Sequence, residues 1–259
     1  MNSSRFESPD ALLRRWYAAI DAAIDARNRC IAMVVRVVPG SRIEGFGSGL
    51  FYSKDGWPFF VTAKHVLDDV QSSIQRGEGA FLKVRGRKEI INLSKSEFFC
   101  SAEWDVAITP LWRTEAASYS HVEFLTSAEV GLRSEAELLA FTGYPASRNK
   151  TFSKQEMKPN QRVITFTKPK LESSDPGFPF LLFPIARKGL RTSDLGHTSL
   201  EFPQGLGGMS GGPVFAIGGT IERPTMSLSA MGVAWQAIGS LKALRFDVVD
   251  AWLSHYFTW

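Results

Sequence analysis

The sequence predicts an all-β protein built from two consecutive antiparallel units of about six strands each, with a helix at each end of the chain. Short apolar segments alternate with turns rich in glycine, proline and charged residues, and a polar stretch near 126–134 divides them into two groups. Evenly spaced short strands of this kind are typical of barrels and sandwiches. The 22 glycines suit such a turn-rich chain.

The predicted strands define the domain organisation. Those of the first group are residues 30–38, 46–52, 58–63, 80–85, 89–93 and 105–111. Those of the second group are residues 136–142, 162–167, 179–184, 198–202, 213–217, 228–236 and 241–246. We therefore expect an N-terminal helical extension at 1–28, a first barrel at 29–130, and a second barrel with a C-terminal helix at 131–259.

An amphipathic helix is predicted over 9–27. Ser8 is a suitable N-cap and Pro9 fits the first turn. Apolar residues at helical spacing from Leu12 to Ile24 form one face, which we expect to pack on the following domain. The alternative is a helix that docks a protein partner or a second subunit.

A second helix is predicted over 247–257. Asp247 is expected to cap it. Its apolar face is expected to contain Val248, Trp252, Leu253 and Tyr256.

The composition predicts a cytoplasmic protein that binds neither nucleic acid nor membrane. The formal net charge of +4 is spread along the chain without a run of basic residues, which is typical of a solvated surface. We expect no signal peptide and no membrane span. Cys30 and Cys100 lie beside apolar residues and are expected to be buried free thiols, as in a reducing compartment.

The strongest chemical signal is the glycine-rich segment 207–214. Glycines on both sides of Ser210 let the backbone turn sharply and expose the hydroxyl. The N–H groups of Gly208 and Ser210 can then converge on the oxyanion of an acyl transfer. A phosphate-binding loop would need a lysine after the glycines or a strand–loop–helix context, and neither is present. We expect Ser210 to be a nucleophile; the alternative is a surface serine in a turn.

Two further residues fit a general base and its orienting partner. His65 follows an apolar strand, whose end can hold a side chain rigidly at a cleft. Asp105 precedes the apolar segment 106–108, where a carboxylate is stabilised if an imidazole N–H pairs with it. Asp68 and Asp69 are nearer to His65 in sequence, but they lie on its own helix, from which reaching back to the ring is awkward. Either residue taken alone is also compatible with a structural role.

These motifs, in this order, resemble the trypsin/chymotrypsin-like serine peptidases, in particular their bacterial stand-alone and HtrA-like branches. The most specific match is 208–213, which fits the family's Gly-x-Ser-Gly-Gly-Pro nucleophile loop. The other matching segments are Gly47-Ser48-Gly49, Thr62-Ala63-Lys64-His65, Asp105-Val106-Ala107-Ile108, Thr142-Gly143-Tyr144-Pro145 and Met231-Gly232-Val233-Ala234-Trp235.

The resemblance implies a fold and a site. The fold is two six-stranded antiparallel β-barrels with a catalytic triad of His65, Asp105 and Ser210 in the cleft between them. The implied oxyanion hole is formed by Gly208, Met209 and Ser210. No metal or cofactor is expected, because acyl transfer by a triad needs none and no Cys/His cluster has ligand spacing.

The resemblance also implies where a polypeptide substrate binds. Gln204 and Gly205 belong to the primary specificity pocket, and Trp235 and Gln236 to the strand that lines the cleft. Met209 stands where secreted trypsins carry the Asp that binds the N-terminus formed on activation. Activation by N-terminal cleavage is therefore not expected.

Other functions stay open at this point. Long polar loops, expected at 144–161 and 168–178, favour a latent protease whose loops are ordered by a partner. A peptide- or partner-binding scaffold with little turnover is a second alternative. An esterase using the same triad is a third, since the acyl chemistry is shared.

Cleavage of a mixed peptide library is expected to favour a small or medium uncharged residue before the cut. The reason is that Gln204 supplies no negative charge to bind Arg or Lys. In addition, Gln236 stands where the family often has glycine, and its larger side chain is expected to make the pocket shallow. Mass spectrometry of the products measures the preference, and a dominant Arg or Lys signal would contradict it.

Overall fold

The computed structural model describes residues 8–38, 42–113, 119–131, 138–149, 159–167, 178–184, 191–193, 198–199, 206–236 and 240–257. This part of the chain is mostly β structure. The α-helices are α1 (Pro9–Ala26), α2 (Lys64–Gln75) and α3 (Phe246–Tyr256). The strands are β1 (Ile31–Val38), β2 (Arg42–Lys54), β3 (Trp57–Ala63), β4 (Gly79–Val84), β5 (Ile90–Asn92), β6 (Phe99–Ser101), β7 (Val106–Pro110), β8 (Leu125–Thr126), β9 (Leu138–Gly143), β10 (Arg162–Thr167), β11 (Phe180–Pro184), β12 (Arg191–Ser193), β13 (Thr198–Ser199), β14 (Pro213–Gly219), β15 (Pro224–Gln236) and β16 (Ser240–Arg245).

The described strands form two sheets of 8 strands each. In the first, neighbours run in the order β5-β4-β1-β2-β3-β7-β6, all antiparallel, and β8 pairs in parallel with β2. In the second, the order is β11-β16-β15-β14-β9-β10-β12-β13, all antiparallel. One of the sheets is a half-barrel. Pairing among the described strands does not close either sheet into a six-stranded barrel, so that part of the expectation is not confirmed.

The two sheets share one apolar core and each has a further core of its own. Strand β1 shows why, because it is apolar on both faces and successive side chains of a strand point in opposite directions. Ile31, Met33 and Val35 lie in the shared core, which also takes in residues of β14, β15 and α3. Ala32 and Val34 lie in the core of the first sheet, where α2 packs. The shared core therefore holds the two sheets against each other.

The terminal helices agree with the sequence in their extent and partly in their details. Helix α1 begins as predicted, with the Ala11 N–H donating to Ser8 Oγ at 3.3 Å. The predicted cap of α3 is wrong: Arg245 is the N-cap residue, and Asp247 instead accepts from the Arg245 guanidinium and the Val248 N–H. Tyr256 is 59% exposed and does not join the buried face. None of the helices in the described ranges is both long and apolar enough to cross a membrane.

The strand predictions are close to the observed elements, with some omissions. Strand β10 covers the predicted 162–167, while the predicted 198–202 is described only at β13. The short strands β6, β8 and β12 were not predicted, because two or three residues carry no recognisable alternation. The prediction for Cys100 is wrong: it is exposed, since β6 is the edge strand of the first sheet, whereas Cys30 is buried. Both are free thiols.

Helix α1 is anchored to the second sheet by a buried ion pair. Arg191 of β12, only 5% exposed, donates to both carboxylate oxygens of Asp21, and its guanidinium lies 4.6 Å from the ring centre of Tyr17. Ser193 Oγ donates to the same carboxylate at 3.0 Å. Ile20, one turn from Tyr17, is completely buried. The predicted apolar face therefore packs on the domain along its second half, while Leu12 remains 47% exposed.

Asp21→Ala is expected to lower the free energy of unfolding by about 3 kcal/mol, because it removes the carboxylate that a buried guanidinium contacts through two of its nitrogens. Chemical denaturation followed by circular dichroism measures the change. Glu222→Ala is the control, since its ion pair with Arg15 is exposed on both sides and contributes little. Equal effects of the two substitutions would contradict the structural role of the Asp21 pair.

Candidate active site

The register of β3 and β7 brings His65 and Asp105 together. Ala63 pairs with Val106 across these antiparallel strands, so the next residues along, Lys64 and Asp105, lie opposite one another. The Lys64 N–H donates to the backbone carbonyl of Asp105 at 3.0 Å. His65, the second residue of α2, is thereby held beside Asp105.

The Asp105 carboxylate contacts His65 through both of its oxygens. Oδ1 accepts the backbone N–H of His65 at 3.1 Å, and Oδ2 lies 2.9 Å from the ring Nδ1. Ala63 at the N-cap of α2 offers no side-chain bond, so the first contact caps the helix and places negative charge at its N-terminus. The second contact orients the imidazole and leaves Nε2 as the nitrogen that can exchange a proton with another group.

Asp105 adopts a backbone conformation that few residues tolerate. Its φ of 50° lies in the left-handed region, which asparagine and aspartate enter more readily than other residues with a side chain. This turn aims the carboxylate back at the start of α2. The strain, of the order of 1–3 kcal/mol, is offset by the two hydrogen bonds that the carboxylate accepts.

Each partner shifts the pKa of the other. The hydrogen bond to Asp105 raises the pKa of His65 above its usual value, and this effect outweighs partial burial, which acts in the opposite direction. Burial alone would raise the pKa of Asp105, but the hydrogen bond and the charge of His65 outweigh it, and the pKa is lowered. The positive charge of Lys242 on β16 acts in the same sense. The pair therefore favours an ionised carboxylate beside a basic imidazole.

The competing carboxylates on α2 do not contact the imidazole. Asp68 binds the ammonium of Lys64 at 2.7 Å, one turn earlier on the same helix. Asp68 and Asp69 reach His65 only through weak long-range attraction. The structure thus places Asp105, the residue ranked first from the sequence, against the ring.

The glycine-rich loop that carries Ser210 packs on the first sheet. The carbonyl of Ser210 accepts the N–H of Ser48 on β2 at 3.0 Å. Gly211 has a φ of 86°, and a β-carbon there would lie 2.1 Å from Ser48 O and 2.4 Å from Thr62 Oγ1. Only glycine fits so close a contact. Because Thr62 is three residues before His65, these contacts place the loop alongside the end of the strand that leads to the imidazole. Within the described residues no hydrogen bond joins the Ser210 hydroxyl to the His65 ring, so the structure brings together two of the three predicted triad side chains directly.

Of the three residues of the predicted oxyanion hole, two have an N–H group that is open. Within the described residues, the N–H groups of Gly208 and Ser210 have no hydrogen-bond acceptor. The Met209 N–H, which was included in the predicted oxyanion hole, donates to Leu206 O at 3.1 Å and is therefore not open. The N–H groups of Gly208 and Ser210, on either side of Met209, remain available to an anion.

Met209 anchors the loop in the second sheet. It is completely buried, in an apolar core that also contains Phe141, Phe183 and Val214. The side chain immediately before Ser210 is thus held by apolar packing, which requires no charged partner.

Of the four predicted substrate-binding residues, two belong to the part of the chain that the structure describes. Gln204 and Gly205 lie outside the described residues. Trp235 and Gln236 form the end of β15, where they pair with Leu241 and Ser240 of β16. Strand β14 pairs with β15 only as far as Met231, so one edge of the last residues of β15 has no partner strand among those described.

Ser48 was quoted from the sequence only as part of a motif, yet it joins the two sheets at the site. It is completely buried. Its hydroxyl donates to Gly208 O at 2.7 Å and accepts the Tyr144 N–H at 2.8 Å, while its carbonyl accepts from Thr62 Oγ1 at 2.6 Å. The only signal in the sequence is a serine between two glycines, which does not reveal which distant groups it contacts.

The comparisons with known proteins establish no family. No protein-family profile matches the chain, and no curated protein matches it. One similar solved structure comes from a study of aromatic interactions in the coupled folding and binding of the intrinsically disordered Sesbania mosaic virus VPg protein. The match covers 85% of this chain and 89% of that chain at 17% identity, with a TM-score of 0.46. Similarity at this level carries no argument about function.

Asp105→Asn is expected to lower the pKa of His65, because the largest contribution that raises it is lost. An NMR titration of the His65 ring protons measures the shift. Asp68→Asn is the matched control, with a much smaller decrease expected, since Asp68 acts on His65 only at a distance. An unchanged titration in Asp105→Asn would contradict the pairing.

Proposed function

We propose that this protein is a serine endopeptidase of the trypsin/chymotrypsin type, which hydrolyses peptide bonds through an acyl-enzyme intermediate. The observation that carries the proposal is the paired Asp105 carboxylate and His65 ring just beyond β3. The loop that contains Ser210 packs against Thr62 of the same strand. An imidazole oriented through Nδ1 by an ionised carboxylate is the arrangement that activates a hydroxyl nucleophile. The fold proposed with it is the chymotrypsin-like pair of six-stranded barrels.

In the proposed reaction, Ser210 Oγ attacks the substrate carbonyl carbon and its proton passes to His65 Nε2. The Asp105 carboxylate stabilises the imidazolium that forms. The oxyanion of the tetrahedral intermediate accepts hydrogen bonds from the N–H groups of Gly208 and Ser210. When the intermediate collapses, the C–N bond breaks and the leaving amine takes the proton from Nε2. Water then repeats the sequence on the ester and releases the free enzyme.

The proposed substrate is a polypeptide in extended conformation. The edge of β15 from Val233 to Gln236, which no described strand pairs with, lies just beyond the point where the Gly211 N–H bonds to Gly232 O. An extended segment can add to such an edge through main-chain hydrogen bonds. This supports an endopeptidase over an enzyme for small esters, although the acyl chemistry is shared. Gln204, Gly205, Trp235 and Gln236 remain the proposed pocket residues.

The burial of Met209 supports an enzyme whose activity does not depend on an N-terminus newly formed by cleavage of a precursor. In the secreted members of the family that this chain resembles, an acidic residue at this position is held by an ion pair. Here apolar packing holds the loop. Control by a partner remains a proposal, with the exposed Leu12 and Leu13 on α1 as the place where one would bind. A partner-binding scaffold with little turnover is the second candidate function.

A fluorophosphonate label is expected to modify the wild type and not Ser210→Ala, and cleavage of a protein substrate is expected to fall by about 10⁶-fold in that variant. The reason is that only an activated serine forms the covalent adduct. Ser254→Ala is the matched control, since Ser254 is exposed on α3.

Three outcomes separate the alternatives. Label that persists in Ser210→Ala would identify another nucleophile. A folded wild type that neither labels nor cleaves would favour the binding scaffold. Activity that appears only on adding a partner would favour the latent protease.

A further inference from the structure

The turn that follows β9 contacts the nucleophile loop at one peptide group. Residues 146–148 form a short 3-10 turn, and the Ala146 N–H donates to Gly207 O at 2.6 Å. Gly208 has a φ of 91°, and a β-carbon there would lie 2.5 Å from Ala146 N. The turn is therefore pressed against the peptide that joins Gly207 to Gly208.

A buried amide holds this turn in place. Asn149 is completely buried, and its Nδ2 donates to Pro145 O at 2.8 Å and to Asn160 O at 3.1 Å. Its Oδ1 accepts the Asn160 N–H at 2.9 Å, and its backbone carbonyl accepts the Gly45 N–H of β2 at 3.0 Å. Every polar group of the side chain is used, so one residue joins the turn to β2 and to the segment that enters β10.

The peptide between Gly207 and Gly208 has two orientations with different consequences. In a trans peptide the N–H points away from the C=O of the same unit, and the described chain contains no cis bonds. While Ala146 binds the carbonyl of Gly207, the N–H of Gly208 is turned to the opposite side, where it has no acceptor among the described residues. Rotation of this peptide by half a turn would point the carbonyl there instead and repel an anion.

We infer that Asn149 is a positioning residue for the oxyanion-binding donors. It acts through Ala146, whose N–H sets the orientation of the Gly207–Gly208 peptide and so presents the Gly208 N–H to the reacting carbonyl. This inference rests on the proposed function, because it concerns the transition state of that reaction. Nothing in the local sequence indicates the role, since Asn149 lies in a segment whose composition predicts only a polar loop.

Two substitutions test the inference at different points. Ala146→Pro removes the N–H and places a ring carbon against Gly207 O, and Pro145 before it is already in the extended conformation that precedes proline readily. Asn149→Asp replaces the donor toward two carbonyls by an oxygen at nearly unchanged volume. Both are expected to lower kcat by about 100-fold, the effect of one oxyanion donor, with KM little changed.

The measurement is steady-state hydrolysis of a peptide amide that the wild type cleaves, together with the rate of fluorophosphonate labelling and the thermal midpoint. Asn92→Asp is the matched control, because Asn92 is exposed and its Oδ1 only accepts the Ser94 N–H, as an aspartate also would. A merely structural role would lower the thermal midpoint and the amount of active enzyme, without a loss of kcat per labelled site.

The outcomes distinguish this inference from the proposed function. An active wild type with unchanged kcat in Ala146→Pro would overturn the inference alone. An inactive, unlabelled wild type would overturn the proposed function and the inference with it. Loss of the native fold in both variants would show that the turn is needed for folding, and would also overturn the positioning role.

Discussion

The arrangement of the site depends on the buried hydrogen bonds of Ser48. Its N–H, carbonyl and hydroxyl bind Ser210, Thr62, Gly208 and Tyr144, so a single residue joins β2, β3, the nucleophile loop and the end of β9. A buried polar group without a partner costs about 1–3 kcal/mol, so these bonds are strongly favoured over any arrangement that separates the two sheets. The loop can therefore occupy only a narrow range of positions relative to the strand that leads to His65.

A second constraint acts within the first sheet. Asp105 serves both as the cap of α2 and as the partner of the His65 ring, so the helix start and the imidazole are held by one carboxylate. Its left-handed backbone is the cost of that double role. One oxygen caps α2 and the other contacts the ring, so a substitution of Asp105 changes both the stability of the helix start and the pKa of His65. A direct titration of the ring separates the second effect from the first.

Much of the secondary structure, and the ranking of the carboxylates that could pair with His65, could be predicted from the sequence. The cap at Ser8, the strand 162–167 and the choice of Asp105 over Asp68 follow from local rules of capping, alternation and reach. The errors have identifiable physical causes. Cys100 is exposed because β6 is an edge strand, and Asp247 does not cap α3 because the Arg245 guanidinium and the Val248 N–H bind its carboxylate. Sheet order and edges depend on partners distant in sequence, which periodicity does not identify.

The sequence by itself determined which chemical groups are available: a serine among glycines, a histidine after a strand and an aspartate before one. Residue types and spacing restrict the local backbone, and that is enough to nominate these groups. Only the tertiary structure decided which distant groups hold the peptides of the nucleophile loop, as Ser48 Oγ donates to Gly208 O and the Ala146 N–H donates to Gly207 O. The physical reason is that hydrogen-bond satisfaction in a buried site is settled by groups far apart in the chain. Ser48 and Asn149, ordinary residues in the sequence, therefore become central only once the sheets have packed.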